Sequence, residues 1–132
     1  MFDEKAHPLF ARRSIYVVDD DSSMRRSMER LLRNHGFTAV VFESAGALLS
    51  HGHLEDACCL VLDVNLNGES GIALRRKLAS DGAKVPVVYI TGNDSQANQA
   101  AAIDSGCAAY LSKPFAASEL IATVERACAK SA

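Results

Sequence analysis

Ile15-Tyr16-Val17-Val18 runs straight into Asp19-Asp20-Asp21, and three later stretches repeat the pattern. Cys59-Leu60-Val61-Leu62 stops at Asp63, Val87-Val88-Tyr89-Ile90 at Thr91, and Ala108-Ala109-Tyr110-Leu111-Ser112 at Lys113-Pro114. Near-continuous apolar runs of this length read as strands buried on both faces. If the strands are parallel, their carboxyl ends lie at one edge of a sheet. Carboxylates, a hydroxyl and an amine then meet there, a set that suits a divalent metal and a phosphoryl group.

The intervening segments read as helices. Ser22 or Ser23 can cap a helix carrying Met24, Met28, Leu31 and Leu32 on one face, and Gly36 ends it. Phe37 to Phe42 is strand-like, and Ser44 can cap the short helix Ala45–Ser50. Asn67-Gly68 marks a turn before a helix from Gly71 to Ala79, which Asp81-Gly82 stops. Asp94–Ser105 is alanine-rich and helix-competent but offers few large apolar anchors, so it is expected to be the most mobile surface. Leu120, Ile121, Val124 and Cys128 have the spacing of a packed helix. Alternating βαβαβαβαβα predicts an α/β fold: one doubly wound parallel sheet with helices on both faces. Residues 1–13 read as a flexible lead-in and 14–130 as one domain.

Composition narrows the function. The chain has 132 residues, 48% hydrophobic, with a net charge of −2, which suits one packed domain and leaves no nucleic-acid or membrane footprint. No apolar run approaches the roughly 18 residues of a bilayer span. Met1-Phe2-Asp3-Glu4-Lys5 lacks the apolar stretch of a signal peptide, so a soluble cytoplasmic protein is expected. Cys58, Cys59, Cys107 and Cys128 form no Cys-x-x-Cys pair and are expected to be reduced packing residues. His51-Gly52-His53 has no third ligand nearby in sequence and reads as a solvated loop.

The chemistry follows from the strand ends, where sites form in open parallel sheets. With the first and third strands adjacent, Asp19, Asp20 and Asp63 converge. Like charges at about 4 Å repel by roughly 4 kcal/mol at an effective dielectric near 20. Mg²⁺ offsets that repulsion, and Lys113 adds a positive charge. A carboxylate so placed can attack phosphorus and form an aspartyl phosphate. Thr91 and Lys113 can then bond phosphoryl oxygens. Any one of these residues alone reads as a cap, a turn or a strand end; their joint order does not.

These residues resemble the receiver domain of two-component response regulators, from about Ser14 to Lys130. The matching motifs are Val18-Asp19-Asp20-Asp21, Leu62-Asp63-Val64-Asn65 with Ser70-Gly71, Ile90-Thr91-Gly92 and Lys113-Pro114-Phe115. The resemblance implies a flavodoxin-like (βα)5 fold with strand order 2-1-3-4-5. It implies that Asp63 is the phosphoacceptor. Asp20, Asp63 and the backbone carbonyl of Asn65 would bind Mg²⁺, or Mn²⁺, directly, and Asp19 would act through water. Thr91 and Lys113 would sense the phosphoryl group, Tyr110 would be the aromatic switch, Gly92 would leave space beside Thr91, and Lys113-Pro114 would be cis. The chain departs from the family at Leu66-Asn67, where Met-Pro is usual, without losing a proposed ligand. Asn65 and Asn93 sit where family members vary.

The implied function is a switch rather than an enzyme. A sensor histidine kinase or a histidine phosphotransfer protein would donate the phosphoryl group, and the domain would later hydrolyse it. The face built from the last two helices and the strand between them would then change shape. That face would act on a downstream effector or pair as a homodimer, with no direct contact to nucleic acid or membrane. An aspartyl phosphatase would need an acid where Asn65 stands. A flavin carrier would need a phosphate loop where three aspartates stand. A degenerate scaffold would not keep Asp63, Thr91 and Lys113 together.

Overall fold

The computed structural model describes residues 14–66, 68–92, 96–104 and 106–131. The expected lead-in, Asn67, Asn93 and the ends of the Asp94–Ser105 helix lie outside them. The apolar runs form five strands: β1 Ser14–Val18, β2 Thr38–Phe42, β3 Ala57–Asp63, β4 Val87–Thr91 and β5 Ala109–Ser112. All pair in parallel, in the order β2-β1-β3-β4-β5. This is the flavodoxin-like doubly wound sheet. Among the described residues five α-helices alternate with the strands: α1 Ser22–Asn34, α2 Ala45–His51, α3 Gly71–Ser80, α4 Gln96–Asp104 and α5 Ala117–Ser131.

Period-two alternation sends neighbouring side chains to opposite faces of the sheet. Ile15 and Val17 join one core with Met28 and Leu32 of α1 and Leu120, Ile121 and Val124 of α5. Tyr16 and Val18 join the other with Leu48 of α2, Ile72, Leu74 and Leu78 of α3, and Ala102 of α4. Every residue of the central strand β3 is buried. Leu66 is buried in the second core and belongs to a small antiparallel pairing of Asn65–Leu66 with Glu69–Ser70.

Three sequence expectations are corrected. The cap of α1 is Asp21, whose carboxylate accepts from the amides of Ser23 and Met24, so neither serine fills that role. An aspartate one residue earlier has the reach and charge to take two helix-terminal donors. The cysteines are also not all reduced. Cys58 and Cys128 form a disulfide, with Cα atoms 5.1 Å apart, while Cys59 and Cys107 are free. The physical reason lies in the register. Ser14 pairs with Ala57 but Ile15 with Cys59, so β3 carries one extra residue, Cys58. That bulge lets Cys58 and Cys59 both pack in the core that α5 covers. Spacing along the chain contains no trace of it. His51 is exposed, but it is the last residue of α2 rather than part of a loop. Its ring lies 5.4 Å from Tyr16 and 5.1 Å from Phe42.

Side-chain anchorage differs among the helices. Among the described residues of α4 only Ala102 is fully buried, and Ile103 is 62% exposed. Amides of α4 are therefore expected to exchange faster than those of α1, α3 and α5 in residue-resolved hydrogen exchange. Protection equal to that of α5 would contradict the weak anchoring.

Candidate functional site

Strand register builds the site. Val18 pairs with Leu62, so the next residues, Asp19 and Asp63, come side by side. Asp63 in turn pairs with Ile90, just before Thr91, and Thr91 pairs with Ser112, just before Lys113. The Lys113 amide donates to the Thr91 carbonyl at 2.7 Å, and Lys113-Pro114 is cis.

Asp19 is fully buried, and Asp63 and Thr91 are nearly so, while Asp20 is exposed. The Lys113 ammonium donates to Asp63 Oδ2 at 2.9 Å and to Asp19 Oδ2 at 3.1 Å. The other oxygens are held by the main chain: the Asp21 amide donates to Asp19 Oδ1 at 2.9 Å, and the Asn65 amide to Asp63 Oδ1 at 2.9 Å. The Lys113 stem runs beside Gly92, where a Cβ would stand 3.9 Å from its Cδ. Space at Gly92 is thus already lined by the ammonium's own chain.

Burial raises the Asp19 carboxyl above its ordinary pKa, outweighing the Asp21 amide and Lys113, which pull it down; Asp63 adds to the rise. Burial also works against the Lys113 ammonium, but hydrogen bonds and charge from Asp63 and Asp19 prevail and raise its pKa. One ammonium therefore only part-compensates two carboxylates, and a second cation would be favoured here. Among the described residues, Asp19, Asp20 and Asp63 form the one group of metal-ligating type, with an oxygen of each within 4.8 Å of the others. Oxygen-only donors with net negative charge fit a hard divalent ion such as Mg²⁺.

All the sequence-predicted residues with described side chains fall at or beside this edge, except Tyr110. Tyr110 lies within β5, short of the end that carries Lys113, half-buried against the α2–α3–α4 core. Asn65 is exposed, and its side chain accepts from the Gly68 amide at 3.2 Å. Two positions were not singled out for their roles. Gly71 opens α3 so close to Asp63 that a Cβ there would collide with the Asp63 carbonyl oxygen. Its Ser-Gly pairing before an apolar helix was the available signal, since Ser70 caps α3 by accepting from the Ala73 amide. Arg25, on the first turn of α1, donates to the Asp19 carbonyl at 2.7 Å, and nothing local in sequence announces that contact.

The family model for the response regulator receiver domain matches residues 15–125. The chain belongs to that family. It is 39% identical over 110 residues to nodulation protein W of Bradyrhizobium diazoefficiens, covering 83% of this chain and 48% of that one. It is 35% identical over 118 residues to the transcriptional regulatory protein FixJ of Azorhizobium caulinodans, covering 89% and 56%. The crystal structure of FixJ-N superposes with a TM-score of 0.79 at 29% identity, covering 88% of this chain and 93% of that one. The structure of the response regulator StyR gives 0.82 at 34% identity, covering 89% and 60%. The chain spans about half the length of the curated relatives it matches. Receiver domains are phosphoacceptor switches of two-component signalling, not classical enzymes, and they bind Mg²⁺ at an acidic pocket. Among the described residues no helix is long and apolar enough to cross a membrane.

Two outcomes test this geometry. Gly71→Ala forces α3 away from Asp63, and overpacking of this kind costs about 1–3 kcal/mol. Urea denaturation should show that loss, and an unchanged midpoint would contradict the contact. Asp19→Asn should stabilise the metal-free protein at pH 7. Because the folded-state pKa of Asp19 is raised, its ionisation costs stability as pH rises through that value. Below the unfolded value, near 3.8, the carboxyl is neutral in both states and the variant should gain nothing. Melting curves across that range decide it.

Proposed function

We propose that Asp63 accepts a phosphoryl group from a sensor histidine kinase or a histidine phosphotransfer protein, and that the domain later hydrolyses the aspartyl phosphate. The observation that carries this reading is the Lys113 ammonium bonded to both Asp63 and Asp19, beside exposed Asp20. Asp20, Asp63 and the Asn65 carbonyl would hold Mg²⁺, with Asp19 acting through a water. Mg²⁺ when bound neutralises negative charge on the carboxylates and the phosphoryl oxygens.

The protein's own groups do the rest. Asp63 Oδ1 is fixed by the Asn65 amide, so Oδ2 is the oxygen aimed into the site. Attack by that oxygen on phosphorus forms the acyl phosphate as the donor's bond to phosphorus breaks. Lys113 then exchanges its carboxylate contact for a phosphoryl oxygen, and the buried Thr91 hydroxyl takes another. The modification adds roughly −1.5 to −2 charge and three acceptor oxygens. Thr91 movement vacates space that Tyr110 enters from the neighbouring strand. The α4-β5-α5 face then changes its affinity for a downstream effector or a second copy, as a population shift between two states. Cytoplasmic placement is part of this proposal, since histidine-kinase output is delivered there. The Cys58–Cys128 link is uncommon in that compartment.

Incubation with Mg²⁺ and acetyl phosphate, followed by intact mass measurement, should give one phosphate adduct on the wild type and none on Asp63→Ala. Equal adducts on both, or none on the wild type together with no beryllofluoride binding, would sink the assignment.

A further inference from the structure

Arg25 stands beside three consecutive aspartates, yet among the described residues it makes no ion pair with any of them. Its guanidinium is spent on a main-chain carbonyl, that of Asp19, at 2.7 Å. Asp19 is fully buried, and no other described group donates to that carbonyl. The Arg25 amide meanwhile donates to the Asp21 carbonyl at 3.0 Å. Asp21 closes the loop by capping α1 and by donating its amide to Asp19 Oδ1. The turn 19–21 is thus held at one end by the Arg25 side chain and at the other by the ordinary first helical bond of α1.

We propose that Arg25 is a positioning residue for the acidic turn, holding Asp19 and Asp20 in the arrangement that takes the divalent cation. This rests on the metal reading given above. The physical need is plain. Adjacent carboxylates repel one another and would splay the turn. A carboxylate-pairing cation would stop that by occupying a ligand oxygen. Arg25 stops it through the backbone and leaves the carboxylates to the metal. Groups that orient ligands without touching the metal typically change its affinity by about 10- to 100-fold when removed.

Simple electrostatics predicts the opposite sign, which makes the proposal decidable. Arg25 is a cation near a cation site, so deleting its charge should tighten metal binding. The probe is Mn²⁺, titrated by electron paramagnetic resonance into Arg25→Met, Arg25→Lys and Arg26→Met. Arg26 is the exposed neighbour on the same turn and controls for charge. Methionine keeps the apolar stem and removes the donors. Arg25→Met should weaken Mn²⁺ binding by about tenfold or more. Arg25→Lys, which retains one charged donor, should recover most of the loss, and Arg26→Met should bind as the wild type does. In metal-free protein the Asp21 amide should exchange faster in Arg25→Met, with the rest of α1 unchanged. Unchanged or tighter binding in Arg25→Met overturns the proposal, as does a loss shared equally by Arg26→Met. A wild type that binds no Mn²⁺ sinks the metal reading instead, and Asp21 exchange then decides the role of Arg25 alone.

Discussion

The two bonds from the Lys113 ammonium to Asp19 and Asp63 set the terms for everything around them. Strand order β1-β3 puts two buried carboxylates side by side, and without a cation that adjacency would be costly. The cation comes from β5 and must cross β4 to arrive. That crossing needs a long flexible stem, a glycine beneath it at residue 92, and a chain turn immediately after the strand. Lys113-Pro114 and Gly92 meet those needs together. The ammonium still serves two carboxylates at once, so the edge stays negative and receptive to a second cation.

The fold was legible because its signals are redundant. The strand runs are mostly apolar, the first four helices each end near a glycine, and each polar stop falls on the same side of the sheet. Gly36, Gly82 and Gly106 all adopt positive φ at the places where the sequence suggests helices end. The site was legible for the same reason: Asp63 and Thr91 end their strands, Asp19 and Lys113 directly follow theirs, and strand termini in a parallel sheet share an edge.

What escaped the sequence depends on geometry that no local pattern encodes. A single extra residue in β3 sends Cys58 to the side where Cys128 waits, and pairing across 70 residues leaves no spacing signature. Choosing Asp21 over Ser22 as the cap turns on one residue of helix phase. Arg25 looks like any charged residue of an exposed helix face until Asp19 folds back beside it. Gly71 is visible as a helix-start glycine, but the reason for it, the carbonyl of Asp63, comes from the preceding strand.

The Cys58–Cys128 link also divides the molecule topologically. It closes a covalent ring that contains Asp63, Thr91 and Lys113 and excludes Asp19 and Asp20. The groups that would receive and report the phosphoryl lie inside the ring, and the acidic turn lies outside it. A cut of the main chain within the ring, for example beside Gly68 or Gly106, opens the circle without releasing a fragment. A cut in the turn after β1 severs the acidic pair's strand from a remainder that stays whole. The receiver is one sheet in space, but in its bonding it is an open arm docked against a closed loop.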